Sequence, residues 1–343
     1  MEAFTQLLAD YGLFLAKTVT AVVAIGVVVA WVAASVQQLR RQAGEGLEVT
    51  HVNDRLERMA DTLHGHLLDK RERKARAKRR KAEEKQRAKA AKLGKPRQAS
   101  RLFVVDFDGD IRASAVTNLR EEITAILQVA EPDDEVLLRL ESAGGLVHSY
   151  GLAASQLRRL RESGIRLTAA VDRLAASGGY MMACVADRIV AAPFAIIGSI
   201  GVVGQLPNFN RLLKDKHIDF EMHTAGDHKR TLTLFGENTD EGRAKFREEL
   251  EATHGLFKQF VADNRAEVDI DRVATGEHWH GTQALELKLV DEIKTSDDLM
   301  LAAAADKRAV YRVHYKTKPG VMERLGERAA AGIRRAADGW LWR

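Results

Sequence analysis

Between Leu102 and Ala192 the chain alternates short apolar runs with stretches of helical spacing, and glycine pairs break the chain just after two of those runs. Leu102 to Phe107 reads as a strand, with a turn at Asp108-Gly109-Asp110. Ser114 to Ala130 carries Val116, Leu119, Ile123, Ile126 and Leu127, the spacing of one helix face. Glu135 to Leu140 is a second strand that runs into Ser142-Ala143-Gly144-Gly145, and Val147 to Leu160 is a helix. Ile165 to Val171 is another strand, followed by Ala176-Ser177-Gly178-Gly179-Tyr180, an apolar helical run, and a short strand from Arg188 to Ala192. Alternation of this kind specifies an α/β domain with parallel strands. In such domains ligands bind where strand ends feed helix starts. The spacing therefore predicts that Gly144-Gly145 and Gly178-Gly179 face one pocket.

Ser177 has two readings. A serine at a sharp turn before a helix suits a nucleophile, because the helix start directs N–H groups and positive potential toward developing negative charge. A serine in that position also suits a plain helix N-cap. Serine needs a base to become nucleophilic. His148, His223, His228, His278 and His280 are candidates, and no spacing among them marks a Ser-His-Asp set. Lys229 is another, since an amine held among apolar groups loses the solvation of its charged form. A loop lysine is ordinarily a surface lysine, so this assignment needs further support.

Outside the alternating region, Thr18 to Val36 is 19 residues without a charge, long enough to cross a hydrocarbon core. We expect an uncleaved membrane anchor over residues 1–37, although Ala33-Ala34-Ser35 would suit a cleavage site. Ile189 to Leu206 is also free of charge, but Pro193, Gly198, Gly201 and Gly204 suit strands and turns better than a second span. From Lys70 to Arg97 there are 15 Lys/Arg and 3 Glu, a local net of +12 in a chain of net +5, so the remainder carries −7. Residues 38–99 therefore read as a basic linker, helical or disordered, whose 70–97 stretch suits contact with anionic lipid. Without interleaved aromatics it does not suit nucleic acid. Arg40, Arg41 and this run favour a cytoplasmic domain, but the cluster starts too far from the span to decide the side.

Later, Phe209 to Lys216 reads as a helix, Phe220 to Ala225 as a strand, Asp240 to Ala266 as a long helix, and Ser296 to Ala305 as the helix that closes a domain over 100–305. Residues 306–343 read as a tail, with a basic amphipathic helix from Val321 to Trp342 that suits a partner or lack of order more than membrane contact. The single cysteine, Cys184, excludes an internal disulfide, and no ligand spacing marks a metal site or a cofactor.

Five motifs occur together and in order: Ser142-Ala-Gly-Gly145, Ser177-Gly-Gly-Tyr180, Gly198-Ser-Ile-Gly201, Gly226-Asp-His-Lys229 and Ala284-Leu-Glu-Leu-Lys-Leu-Val-Asp291. The set resembles signal peptide peptidases of the SppA/SohB type, and Lys229 to Thr239 looks most like the SohB branch. The resemblance covers about 100–300 plus the N-terminal layout. It implies a ClpP/crotonase-like spiral of ββα units behind an N-terminal transmembrane helix. It also implies a dyad of Ser177 as nucleophile and Lys229 as base, oxyanion donors from Gly178, Gly144 and Gly145, and a supporting role for Ser199. By the same likeness the substrates would be hydrophobic peptides, such as remnant signal peptides, or misfolded membrane-associated chains, at a bacterial inner membrane crossed once. The single catalytic-type domain implies a homo-oligomer. The competing readings are a crotonase-type enzyme acting on an acyl-CoA and a non-catalytic membrane scaffold.

Overall fold

In the computed structural model, which describes residues 46–92, 100–226 and 228–316, the alternating region is a mixed α/β fold on a mainly parallel sheet. The elements run β1 (Gly46–His51), α1 (Val52–Leu67), α2 (Lys70–Lys92), β2 (Arg101–Gly109), α3 (Val116–Leu127), β3 (Glu135–Ser142), α4 (Val147–Glu162), β4 (Arg166–Val171) and β5 (Leu174–Ala176). They continue with α5 (Gly178–Ala183), β6 (Arg188–Ala191), β7 (Ile196–Gly198), α6 (Asn210–Asp215), α7 (Asp240–Asn264) and α8 (Ile270–Val273). The last are β8 (His278–His280), α9 (Gly281–Glu286), β9 (Glu292–Ile293), α10 (Ser296–Ala305) and β10 (Ala309–Lys316).

The sheet order is β1-β10-β2-β3-β4-β6-β9, and every pairing from β10 across to β9 is parallel. Strands buried on both faces need apolar residues at successive positions, and β2 and β3 supply them. Phe103, Val105, Phe107, Leu138 and Leu140 enter one core with α3, α4 and α5, whereas Leu102, Val104 and Leu137 enter a second with Met300 and Ala303 of α10. The period-2 alternation of a strand thus divides one apolar run between two cores.

A smaller layer leaves the main path. β5 pairs with the end of β3 at Ser142↔Ala175 and with β7 at Ala176↔Gly198, and β7 pairs antiparallel with β8. The charge-free stretch from Ile189 to Leu206 is thus β6, β7 and turns. Among the described residues no helix is long and apolar enough to cross a membrane. The anchor expected over 1–37 and the tail helix expected over Val321 to Trp342 lie outside the described residues.

Three expectations are corrected. The described residues between 47 and 315 form one compact unit, so its limits lie outside 100–305. At the N-terminal side, Val52 and Leu56 of α1 pack on the second core, and the Asn53 side chain bonds both Arg308 C=O (2.9 Å) and Val310 N–H (2.8 Å). The expected linker is therefore part of the domain up to α1, with the basic stretch helical as α2 over Lys70–Lys92. At the C-terminal side, residues 309–316 are a sheet strand and not the start of a tail. Finally, Phe220 to Ala225 forms no strand, and its side chains are exposed.

β10 is also fastened by a buried carboxyl. Glu122 of α3 is 1% exposed, and its Oε1 accepts from Tyr315 N–H at 2.8 Å. Burial, reinforced by nearby Asp106, raises its pKa from 4.5 to about 7 against the opposing Tyr315 N–H bond. Between pH 4.5 and about 7 the folded chain keeps a proton that the unfolded chain releases, so stability falls as pH rises through that window and stays low above it. Glu122→Gln removes this loss. Its thermal midpoint is expected to exceed that of the parent chain by more at pH 8 than at pH 5, and an equal difference at both pH values would refute the assignment.

Candidate active site

Ser177 follows β5 and starts α5 with φ 52° and ψ −118°. This conformation is disfavoured for a residue with a Cβ and is typical of glycine, so it stores about 1–3 kcal/mol. The turn is held by Ser177 N–H donating to Gly198 C=O at 2.8 Å and by Met181 N–H donating to Ser177 C=O at 2.9 Å. The Ser177 side chain makes no capping hydrogen bond. The plain N-cap reading therefore fails in its usual form: the hydroxyl is half-buried at a strained strand-to-helix elbow and does not serve the helix.

The elbow is packed too closely for side chains on its glycines. A Cβ on Gly178 would lie 2.4 Å from the Tyr150 ring, and one on Gly179 would lie 2.5 Å from Ser142 O. Opposite, Gly144 has φ +88°, and a Cβ there would lie 2.7 Å from both Gly178 N and Ser177 Cβ. The two glycine breaks therefore meet, as their position after neighbouring strands predicted. The turn after β2 joins them, because Leu146 N–H donates to Ile111 C=O at 2.8 Å and a Cβ on Gly145 would strike that same oxygen. Asp110 stiffens this turn by accepting from Ser114 N–H, Ser114 Oγ–H and Arg112 N–H, which together hold its carboxyl below the usual range.

The three glycines expected to serve an oxyanion are not equivalent. Gly144 N–H donates to Ser142 Oγ at 3.1 Å. Gly178 N–H opens α5, where a helix has no acceptor of its own, and neither it nor Gly145 N–H meets an acceptor among the described residues. Gly178 and Gly145 thus keep uncommitted N–H groups, whereas that of Gly144 is taken. Gly144 instead allows the close approach of the two turns.

Ser199 follows β7 as Ser177 follows β5, and the pairing Ala176↔Gly198 puts the two serines one residue past neighbouring strand ends. Ser199 also has a positive φ, 50°, and its N–H donates to Glu277 C=O at 2.6 Å. β8 brings His278 opposite Gly198, so an exposed imidazole lies at the same strand end, a proximity that no local spacing reveals. His148, His223 and His228 are exposed, and His280 is spent near Phe194, with Nδ1 3.4 Å from its carbonyl. Lys229 is exposed in the loop after Gly226, where its N–H donates to Gly226 C=O at 3.2 Å. Its amine makes no bond to Ser177 or Ser199 among the described residues.

Comparison with known proteins places this arrangement in a family. Residues 6–157 match the profile described as peptidase family S49 N-terminal, and residues 159–310 match the profile of peptidase family S49. The chain is 51% identical over 334 residues to the Probable protease SohB of Haemophilus influenzae, covering 94% of this chain and 93% of that one. It is 62% identical over 225 residues to the Probable protease SohB of Buchnera aphidicola subsp. Acyrthosiphon pisum, covering 66% and 67% of the two chains. Among solved structures it is similar to a membrane-bound stomatin-specific protease, 1510-N, with a TM-score of 0.40, 14% identity, and coverage of 60% and 85%. Matching both profiles, and sharing half its residues with a protease along nearly its whole length, the chain belongs to peptidase family S49.

Proposed function

We propose that the chain is a membrane-anchored serine endopeptidase that uses Ser177 as nucleophile and Lys229 as general base. The observation that carries this reading is the elbow: a strained serine whose side chain makes no capping hydrogen bond, beside two uncommitted N–H groups of Gly178 and Gly145. Strain retained at a site that does not use it for packing points to chemistry.

The neutral Lys229 amine accepts the Ser177 Oγ proton as Oγ bonds to the scissile carbonyl carbon, and the carbonyl electron pair moves onto oxygen. Gly178 and Gly145 N–H groups receive that oxyanion. Collapse of the tetrahedral species breaks the C–N bond, and the Lys229 ammonium protonates the departing amine. Lys229 then deprotonates a water that attacks the acyl-Ser177 ester, which releases the acid and restores the serine. Ser199, at the neighbouring strand end, is suited to hold the amine. No metal or cofactor takes part.

A lysine base has to leave water, and in one chain Lys229 is exposed. Around it the segment from Val203 to Phe235 leaves Val203, Phe209, Leu212, Ile218, Phe220 and Phe235 exposed. Uncovered apolar side chains in such number favour association, so we propose a homo-oligomer in which this segment is covered and the base is dried. The same apolar environment suits hydrophobic peptides, such as remnant signal peptides or misfolded membrane-associated proteins. The charge-free stretch 18–36 supports a single span in a bacterial inner membrane, and α2 supports contact with anionic lipid. The succession β4-β5-α5, with β5 turned out of the main sheet onto β7, supports a ClpP/crotonase-like spiral of ββα units.

The test uses the purified full chain in detergent with a hydrophobic peptide and, separately, an acyl-CoA. Peptide cleavage, with acyl transfer to Ser177 seen by mass spectrometry of quenched reactions, is the expected result. Turnover of the acyl-CoA alone would favour the crotonase-type reading, and inertness toward both would favour a scaffold.

A further inference from the structure

The turn that carries Gly145 is anchored by a chain of buried hydrogen bonds that reaches back to the turn after β2. Tyr150 Oη donates to Asp110 C=O at 2.7 Å. With its one hydrogen so used, it accepts from Ser142 Oγ–H at 2.5 Å, and Ser142 Oγ in turn accepts Gly144 N–H at 3.1 Å. The order Gly144 N–H, Ser142 Oγ–H, Tyr150 Oη–H, Asp110 C=O runs in one direction, so each bond polarises the next. Tyr150 and Ser142 are 0% and 2% exposed, so water does not compete. Burial also raises the Tyr150 pKa above its usual range, which keeps the hydroxyl protonated as the chain requires.

The same tyrosine touches the other half of the site. Its ring occupies the space where a Gly178 side chain would sit, 2.4 Å from that Cβ position. Gly109 admits the arrangement, because a Cβ there would lie 2.5 Å from both Ser142 Oγ and Tyr150 Oη. One side chain therefore holds the Ala143-Gly144 peptide, one residue before the Gly145 N–H, through its hydroxyl and backs Gly178 with its ring.

We infer that Tyr150, acting with Ser142, is a positioning residue that sets the distance and angle between the Gly178 and Gly145 N–H groups. The inference rests on the peptidase reading above and extends it. Tyr150→Phe keeps the ring against Gly178 and removes only the link that orients Gly145. Ser142→Ala cuts the same chain one bond earlier. Both variants are expected to lose kcat by about 10- to 100-fold with KM unchanged, because a misplaced donor weakens transition-state binding and leaves substrate binding alone.

The decisive readout is a peptide aldehyde, which bonds to Ser177 and places a tetrahedral oxygen in the hole. Its inhibition constant should rise by the same factor as kcat falls, while binding of the uncleaved peptide on a Ser177→Ala background stays unchanged. Melting of both variants below the assay temperature would overturn a positioning role in favour of a structural one. An aldehyde adduct in the parent chain, together with parental kcat in both folded variants, would overturn the inference alone. No adduct at Ser177 in the parent chain would overturn the peptidase reading and this inference with it.

Discussion

Ser177→Ala is expected to abolish peptide cleavage, with kcat down by about 10⁴-fold or more, and to leave the fold intact. The hydroxyl bonds nothing in its helix, so its removal breaks no structural contact. The elbow itself remains, because alanine also carries a Cβ at φ 52°. Ser177→Gly separates the two effects. Glycine adopts this backbone without the Cβ clash, which relieves about 1–3 kcal/mol of strain, against about 0.5–1 kcal/mol of added chain entropy in the unfolded state. The glycine variant should therefore be as inactive as the alanine variant and melt at or above its temperature. Thermal melts and a discontinuous peptide assay on the three chains would check this. A Ser177→Ala chain that retains more than about a hundredth of parental kcat would move the nucleophile elsewhere.

The elbow was legible because its parts are local. A strand, a serine, two glycines and a helix lie within one short stretch, and each residue type reports its own conformational need. The meeting of the two glycine turns was legible for a different reason: both follow strands of one parallel sheet, so the fold class alone brings them to the same edge. What Gly144 does there was not. Its N–H is consumed by Ser142, and only the cross-strand packing separates its role from that of Gly145. The sequence placed a turn at Asp108-Gly109-Asp110, whereas β2 runs on through Gly109 and the chain turns at Asp110 and Ile111, whose support of Gly145 depends on β2 and β3 ending side by side.

The misread elements have a common cause. Phe220 to Ala225 has residues that suit a strand, but a strand exists only with a partner, and among the described residues none pairs with it. β10 has the opposite history. Val310, Tyr311, Val313 and Tyr315 give it strong strand character, and it was hidden by the charged residues between them. Arg312 among them binds Asp106, and Arg308 just before the strand binds Glu135. β1 is exposed along most of its length, so no burial pattern marks it, and its place depends on β10.

Lys229 is the residue that sequence and structure leave furthest from its proposed role, and its prediction is the sharper for that. Lys229→Ala and Lys229→Arg should both lose at least about 10²–10⁴-fold in kcat. The arginine variant matters most, since a guanidinium keeps the positive charge but cannot accept the Ser177 proton. If the lysine served only as a charge, arginine would retain activity. Lys229→Cys should be equally inactive and should recover when alkylated with 2-bromoethylamine, which rebuilds an amine at nearly the lysine length. The chemistry is selective here because Cys184 is 0% exposed and burial pushes its thiol up to about 12. Dilution below the assembly concentration should suppress the parental rate by exposing Lys229 to water again. The neighbouring imidazole supplies the contrary result. His278 already lies at the strand end beside Ser199, so loss of activity in His278→Ala with full activity in Lys229→Arg would transfer the base from the loop to the sheet.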